Sequence, residues 1–311
     1  MASRTPEASV DAMLRFSTEA TRQVNLAQRE RVRGKLTSVA ERLRDLDAMG
    51  VDIQVLSPAP PQYHYGIPGA AGLDVAQLVN DRIAAMVRER PDRFVGLGTV
   101  PMQAPDLAVA ELERVVRTLG LRGVELGTHV DGAELSEERF RPVFARAEAL
   151  GAVVFLHPNG FPDGRRLTQH YFMNVIGNPL DSTVAVSHLI FGGVLDAHPR
   201  LKILVAHGGG FLAAYDGRMD HAHRVRPDCR ERILRPPSSY LQRLYFDTLV
   251  FTTRQLEYLA ARYGCDHLVL GTDYPFDMAD FDPIEHVVST GFDAATTAAI
   301  AGGNAKRLLG L

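Results

Sequence analysis

Short apolar runs recur along this chain, and each is followed by a segment with helical periodicity. We predict seven strands, at residues 51–57, 94–99, 123–127, 152–157, 202–206, 244–248 and 267–271. The segments between them place apolar residues three and four positions apart, as amphipathic helices do. A repeated strand and helix order favours parallel strands joined by right-handed crossovers, and so many units favour a closed barrel over an open sheet. The predicted fold is therefore a TIM (β/α)₈ barrel of the α/β class.

The strand count falls one short of a complete barrel. A TIM barrel has eight strands, and the missing one would have to precede Val51. Residues 7–33 instead have the pattern of helix and loop. We therefore predict a barrel that lacks its first strand within residues 1–311. An open barrel exposes two strand edges, so we expect that the missing strand is encoded upstream of Met1.

The length of 311 residues fits a single barrel domain over residues 1–311. We expect residues 1–35 to form an irregular or helical N-terminal segment. Two connections, residues 158–200 and 208–243, are long for a barrel. Long loops at the carboxyl end of the strands are typical of substrate walls and subunit contacts, which predicts active-site and interface loops.

Charge and composition exclude several kinds of partner. The net charge of −3 is spread over 34 basic and 37 acidic residues, so no strong field attracts nucleic acid or an anionic membrane. No apolar run is long enough to cross a bilayer. The two cysteines are too few for a disulfide framework or a cysteine metal site, which favours a cytoplasmic protein.

Three of the predicted strands run into residues that bind metal or move protons. These residues are His157, His207 and Asp273. The carboxyl ends of parallel strands hold the active sites of such folds, so we expect the three side chains to meet. We interpret His157 as a metal ligand, His207 as a catalytic acid or base, and Asp273 as a metal ligand that also accepts a proton.

Each of the three residues also has a structural interpretation. His157 could bond a loop carbonyl, the glycines after His207 could serve a tight turn, and Asp273 could cap a helix or form a salt bridge. Two further residues, Arg33 and Arg218, are candidates for binding a substrate carboxylate, although either could be a solvated surface charge. Asp247 lies inside a strand and is interpreted as a supporting residue.

The pair His221 and His223 imitates a metal-binding His-x-His motif. Alternate residues share a face on a strand but not on a helix, and this segment has a helix or loop pattern. We reject it as the primary site.

Several stretches of the sequence resemble a known family. They are Arg93–Pro105, Gly127–Val130, Ala206–Gly210, Asp216–Arg218 and Gly271–Phe276. In these the chain resembles the decarboxylases of the amidohydrolase superfamily, most closely the amino-carboxymuconate semialdehyde decarboxylases, over about residues 33–311. The resemblance implies a barrel of the metal-dependent hydrolase type.

The resemblance also implies roles for single residues. His157 and Asp273 would be metal ligands, and His207 the acid/base beside them. Arg33 and Arg218 would bind the substrate carboxylate, with Arg218 offered across a homodimer interface. Members of the family carry a His-x-His pair on their first strand, which this chain lacks. Asn159 stands where the closest relatives have tryptophan, so we predict a substrate-binding role for Asn159 with a different substrate.

These inferences predict a metal-dependent, non-oxidative decarboxylase, a carbon–carbon lyase, acting on a small unsaturated or aromatic carboxylic acid. Zinc is the first choice of metal and manganese the second, because a mixed imidazole and carboxylate site accepts either. One alternative is a hydrolase or hydratase that uses the same metal site on a lactone, amide or unsaturated acid. The other is an inactive barrel, if the His-x-His strand is truly absent.

Overall fold

The computed structural model describes residues 12–311. All seven predicted strands are present, each two to four residues long. A short antiparallel hairpin was not predicted; it pairs His129 with Glu134 and Val130 with Ala133. In chain order the strands are β1 (Gln54–Leu56), β2 (Phe94–Gly96), β3 (Gly123–Leu126), β4 (His129–Val130), β5 (Ala133–Glu134), β6 (Val153–Leu156), β7 (Lys202–Val205), β8 (Tyr245–Asp247) and β9 (Leu268–Val269).

The strands that build the barrel wall are all parallel. β1 pairs with β2, and β3, β6, β7, β8 and β9 follow one another in a second sheet. The two sheets are joined because the Gly98 amide donates to the Gly123 carbonyl at 2.9 Å and the Arg122 amide to the Gly96 carbonyl at 2.9 Å. The α/β barrel fold is therefore confirmed.

Strand β6 shows why these runs are apolar throughout. Val154 and Leu156 belong to the large cluster that packs the wall against the helices. Val153 and Phe155 point the other way, into a smaller cluster that fills the ring together with Leu97, Leu204 and Val269. Both faces are buried, so a continuous apolar run is the expected pattern.

Helices surround the wall, and among residues 12–311 none is long and apolar enough to cross a membrane. The helices are α1 (Ala12–Arg15), α2 (Glu19–Thr37), α3 (Val39–Ala48), α4 (Gly69–Glu89), α5 (Pro105–Glu113), α6 (Arg141–Leu150), α7 (Asn178–Phe191), α8 (Val194–Ala197), α9 (Leu212–Val225), α10 (Pro237–Leu241), α11 (Thr253–Tyr263), α12 (Pro283–Val288), α13 (Ala294–Ala298) and α14 (Asn304–Leu309).

The N-terminal segment predicted over residues 1–35 contains helix α1 and most of helix α2, and its residues 1–11 lie outside the described part of the chain. The two long connections contain helices of their own. The first carries α7 and α8, and the second carries α9 and α10. The N-terminal end of α7 reaches the loop after β6, where the Asn178 side chain accepts the Gly160 amide at 2.8 Å.

The ring has an opening between β1 and β9. Within residues 12–311 no strand pairs with β1 on the side away from β2. The outer side of β9 is covered by the C-terminal segment, because the Asn304 amide donates to the Leu268 carbonyl at 2.7 Å. A cavity of about 860 Å³ extends from the carboxyl end of the strands into this opening.

Candidate active site

The side chains of His157, His207 and Asp273 meet at the carboxyl end of the barrel. One potential ligand atom from each lies within 4.8 Å of the others. The two imidazole rings are 4.8 Å apart, edge to face, and His157 Nε2 is 3.6 Å from Asp273 Oδ1. The expected convergence of three strand ends is therefore observed, and the chemical roles of these residues remain predictions.

The backbone around the site is held in an unusual conformation. His207 and Asp273 both have positive φ, 57° and 52°, which is costly for residues other than glycine. Asp247 supports the first of them, because its carboxylate accepts the His207 amide at 3.0 Å and the Gly208 amide at 2.8 Å. This agrees with the interpretation of Asp247 as a supporting residue.

Hydrogen bonding fixes the orientation of His157. Its Nδ1 lies 2.9 Å from the Pro158 carbonyl oxygen, which can only accept, so Nδ1 carries the proton. Nε2 is then the atom that faces Asp273. A backbone carbonyl on one imidazole nitrogen is the usual way of presenting the other nitrogen to a metal.

The electrostatics of the site favour a cation between His157 and Asp273. Burial lowers the pKa of His157, but the hydrogen bond to Asp273 and the charges of Glu125 and Asp273 outweigh burial and raise it to about 9. Burial raises the pKa of Asp273, and the hydrogen bond and charge of His157 reverse this, so the net shift is downward. In the metal-free protein a proton on His157 thus supplies the positive charge that the carboxylate requires.

His207 differs from its neighbour. Burial and the charge of His157 lower its pKa, against the opposing charges of Asp247 and Asp273. Its Nδ1 is buried and has no hydrogen-bond partner among the described residues. A buried polar atom without a partner is rare outside functional sites. This imidazole is neutral near pH 7 and free to bind a ligand or exchange a proton.

The donor set fits a divalent metal ion. Two imidazoles and a carboxylate are the ligands that zinc and manganese accept, and all three surround one point. His157 and Asp273 already face each other across a distance that a cation can bridge. The residues present therefore suit a resident divalent metal.

A buried carboxylate beside the site was not singled out from the sequence. Glu125 on β3 is 2% exposed, lines the cavity, and accepts the Tyr63 hydroxyl at 2.5 Å. Burial raises its pKa, while the charge of His157 and the hydroxyls of Ser57 and Tyr63 oppose the rise. The ring of Tyr63 stacks on Tyr65 at 5.6 Å. The available signal was a single acidic residue inside an otherwise apolar strand.

The predicted substrate-binding residues lie away from this point. Arg33 is exposed on α2, Arg218 is exposed on α9, and Asn159 is half-buried in the loop after β6. None of the three lines the cavity, whereas Arg42 and Arg82 do. Within one copy of the chain, none of the three predicted residues therefore forms part of the cavity wall, although Asn159 is only two residues from His157.

The rejected pair His221 and His223 lies on helix α9, as the residue pattern indicated. His221 bonds the Arg224 side chain at 2.7 Å, and His223 lies 3.3 Å from the Ile233 carbonyl. Neither is part of the metal-binding group found among the described residues.

Comparison with known families assigns the chain. The profile described as "Amidohydrolase" matches residues 11–311. The chain belongs to the amidohydrolase family. This confirms the resemblance that the sequence motifs indicated.

Several proteins similar to this amidohydrolase are decarboxylases. The 2-amino-3-carboxymuconate-6-semialdehyde decarboxylase of Dictyostelium discoideum is 37% identical over 273 residues, covering 87% of this chain and 76% of the relative. The gamma-resorcylate decarboxylase of Rhizobium radiobacter is 28% identical over 299 residues, covering 87% and 86%. Both are similar to the amidohydrolase described here over most of its length.

One solved structure similar to this amidohydrolase contains a metal ion. The 5-carboxyvanillate decarboxylase of Novosphingobium aromaticivorans, in complex with manganese and 4-hydroxy-3-methoxy-5-nitrobenzoic acid, matches with a TM-score of 0.82. It is 26% identical and covers 87% of this amidohydrolase and 80% of that chain. A structural relative thus binds a divalent metal together with a small aromatic acid.

Proposed function

We propose that this protein is a metal-dependent, non-oxidative decarboxylase of a small aromatic or unsaturated carboxylic acid. The observation that carries the proposal is the half-buried cluster of His157, His207 and Asp273 at the strand ends of an amidohydrolase with several decarboxylases among its relatives. Decarboxylation replaces a carbon–carboxylate bond with a carbon–hydrogen bond, so it requires a proton donor beside the reacting carbon.

His157 and Asp273 would hold the metal, and His207 would hold the proton. A bound divalent cation supplies positive charge that stabilises the electron pair left behind when CO₂ departs. His207 would deliver the proton to that carbon, and solvent would then return a proton to the imidazole. The apolar wall beneath the cluster, with Phe155 and Leu204, excludes water from the ring of the substrate.

The identity of the metal is part of the proposal. Zinc is favoured by the sequence argument, and manganese is supported by the solved structure of the Novosphingobium relative. Both metals suit a mixed imidazole and carboxylate site. We therefore propose a divalent metal and test the two side by side.

The test measures CO₂ and product together. Metal-free protein is loaded with Mn²⁺ or Zn²⁺ and given gamma-resorcylate, 5-carboxyvanillate and 2-amino-3-carboxymuconate-6-semialdehyde, the acids named in its relatives. We expect metal-dependent release of CO₂ with a product lighter by the mass of CO₂, and loss of activity on chelation. A product that keeps its carboxylate and gains water would instead establish a hydrolase or hydratase.

We also propose that two copies of the chain associate and that Arg218 of one copy binds the substrate carboxylate in the other. Arg218 lies on α9, whose start carries the exposed aromatic residues Phe211 and Tyr215. Exposed Tyr258 extends this surface, because its hydroxyl donates to the Ala213 carbonyl at 2.6 Å. Contiguous exposed aromatic residues beside an active site favour association.

Subunit mixing tests the shared site. The His207→Ala protein is expected to turn over substrate slowly and the Arg218→Ala protein to bind it weakly, whereas a mixed dimer contains one undamaged site. Recovery of activity on mixing supports the proposal. Proof of subunit exchange by light scattering and mass spectrometry without recovered activity would refute it.

A further inference from the structure

The loop that carries Asp273 is tied to helix α3 by a compact polar cluster. Tyr274 follows Asp273 directly and is 8% exposed. Its hydroxyl donates to Asp45 Oδ2 at 2.6 Å, and Lys35 Nζ donates to the same oxygen at 2.6 Å. The Asp45 carboxylate on α3 therefore binds both Lys35 from α2 and Tyr274, the residue next to the predicted metal ligand.

The ring of Tyr274 is fixed by cations as well. The Arg42 guanidinium carbon is 5.0 Å from the ring centroid, and Lys35 Nζ is 5.7 Å from it. Arg42 is itself anchored on strand β1, because it donates to Gln54 Oε1 at 2.8 Å. Cations over an aromatic face attract it more strongly when they are desolvated, and Arg42 is only 7% exposed.

The cluster lies next to a backbone segment, at Asp273, that regular secondary structure does not hold in place. Asp273 has positive φ, so its carboxylate direction is not secured by regular strand geometry. The Tyr274 amide reaches only the Thr272 hydroxyl, at 3.3 Å. After residue 273, the shortest hydrogen bond from this turn to another element is the one that the Tyr274 hydroxyl donates to Asp45.

We propose that Asp45 and Tyr274 are positioning residues that hold the Asp273 carboxylate in the orientation required for metal binding. The inference rests on the proposed metal site at Asp273. Residues that orient a metal ligand without contacting the metal change the metal affinity by about 10-fold to 100-fold when they are removed. Tyr274→Phe removes one hydroxyl and keeps the ring that Arg42 and Lys35 contact.

The chain contains a matched control. Tyr240 donates to Asp196 Oδ2 at 2.6 Å, Arg235 donates to Asp196 Oδ1 at 3.0 Å, and the Arg235 guanidinium lies 4.9 Å from the Tyr240 ring. This second cluster has the same chemistry but joins α8 to α10, and none of its members lines the cavity. Tyr240→Phe therefore measures what such a hydroxyl contributes to folding alone.

The experiment compares Mn²⁺ affinity and thermal stability in both variants. Tyr274→Phe is expected to raise the dissociation constant for Mn²⁺ about 10-fold, whereas Tyr240→Phe leaves it unchanged, with similar decreases in melting temperature. Asp45→Ala is expected to match Tyr274→Phe, and the double variant to bind no more weakly than either, because the two act as one unit. Equal Mn²⁺ affinity in the Tyr274→Phe and Tyr240→Phe proteins overturns the proposal.

A metal-free measurement separates this inference from the proposed function. The imidazole resonances of His157 report the position of its partner Asp273 in NMR spectra of the apo protein. They are expected to move in Tyr274→Phe and to stay fixed in Tyr240→Phe. If the wild type binds neither Mn²⁺ nor Zn²⁺, the proposed function fails, while these spectra still decide the positioning role. Unchanged His157 resonances in Tyr274→Phe count against that role.

Discussion

The imidazole of His207 is the group on which the proposed proton transfer depends. Replacement by alanine leaves His157 and Asp273 in place, so we expect metal binding to persist. Turnover should fall by roughly 10²-fold to 10⁴-fold, the usual contribution of a positioned acid or base. Metal content by atomic absorption and steady-state rates on the same preparation check this. Loss of metal together with rate would show that His207 is itself a ligand.

Asp181 on α7 is a buried acid outside the site. It is 3% exposed and accepts a hydrogen bond from the Thr128 hydroxyl. Burial raises its pKa to about 7; the Thr128 hydroxyl opposes this, and the charge of Glu134 adds to it. The folded protein therefore binds this proton more tightly than the unfolded chain does.

The sign of the resulting pH dependence follows from that difference. The contribution of Asp181 to the free energy of unfolding is complete below pH 3.8 and falls until about pH 7, on the order of 1.4 kcal/mol per pH unit. Asp181→Asn does not titrate. Its stability relative to wild type should therefore improve between pH 4 and pH 7 and then remain constant, as measured by urea unfolding. Parallel stability profiles for the two proteins would contradict the raised pKa.

At the scale of elements, the wall strands were predictable because each is buried on both faces and reads as an unbroken apolar run. The hairpin of His129–Val130 with Ala133–Glu134 was not, since two residues per strand are too few for a periodicity to show. The three strand-end residues were found because strand ends locate active sites in this fold class. Glu125 and Tyr63 were missed because their pairing joins residues 62 positions apart, which no local pattern encodes.

The turn between β7 and α9 depends on a glycine. Gly210 has φ of 64°, and a Cβ there would overlap the carbonyl oxygen of Pro179 at the start of α7. We expect Gly210→Ala to destabilise the protein by about 2 kcal/mol or more. Because His207 lies in the same turn, activity should fall as well. Urea unfolding and rate assays measure the two effects.

Gly217 provides the comparison for that variant. It lies inside helix α9, and a Cβ there would meet no atom within 4 Å. Gly217→Ala should raise the free energy of unfolding by about 0.5 to 1 kcal/mol, because alanine loses less conformational entropy on forming a helix. Similar stability for the two alanine variants would refute the steric argument at Gly210.

At the scale of the whole molecule, the ring of parallel strands is complete except between β1 and β9. Sequence periodicity predicts this opening, because it indicates one strand fewer than a complete barrel requires. What the sequence could not indicate was how β9 is covered there. The Asn304 side chain reaches the carbonyls of Cys265 and Leu268, and such long-range side-chain bonds leave no local signature.

Hydrogen exchange tests the opening directly. Val55 and Val154 are the same residue type in parallel wall strands, but Val55 faces the unpaired side of β1 and Val154 lies between two neighbours. We expect the Val55 amide to exchange on the order of 10-fold faster or more. Mass spectrometry with residue-level fragmentation measures both. Equal protection would show that the β1 edge is covered in solution.

The three clustered residues lie far apart along the chain, so the order of their synthesis determines when the site can form. The last of the three clustered residues, Asp273, follows the last strand, and that strand is held by Asn304 close to the C-terminus. A nascent chain that has not yet reached residue 273 therefore has His157 and His207 but no carboxylate to complete the cluster. Domains fold as units once their sequence has emerged. We therefore expect the complete cluster to hold a metal ion only after Asn304 has been synthesised and β9 has joined the ring.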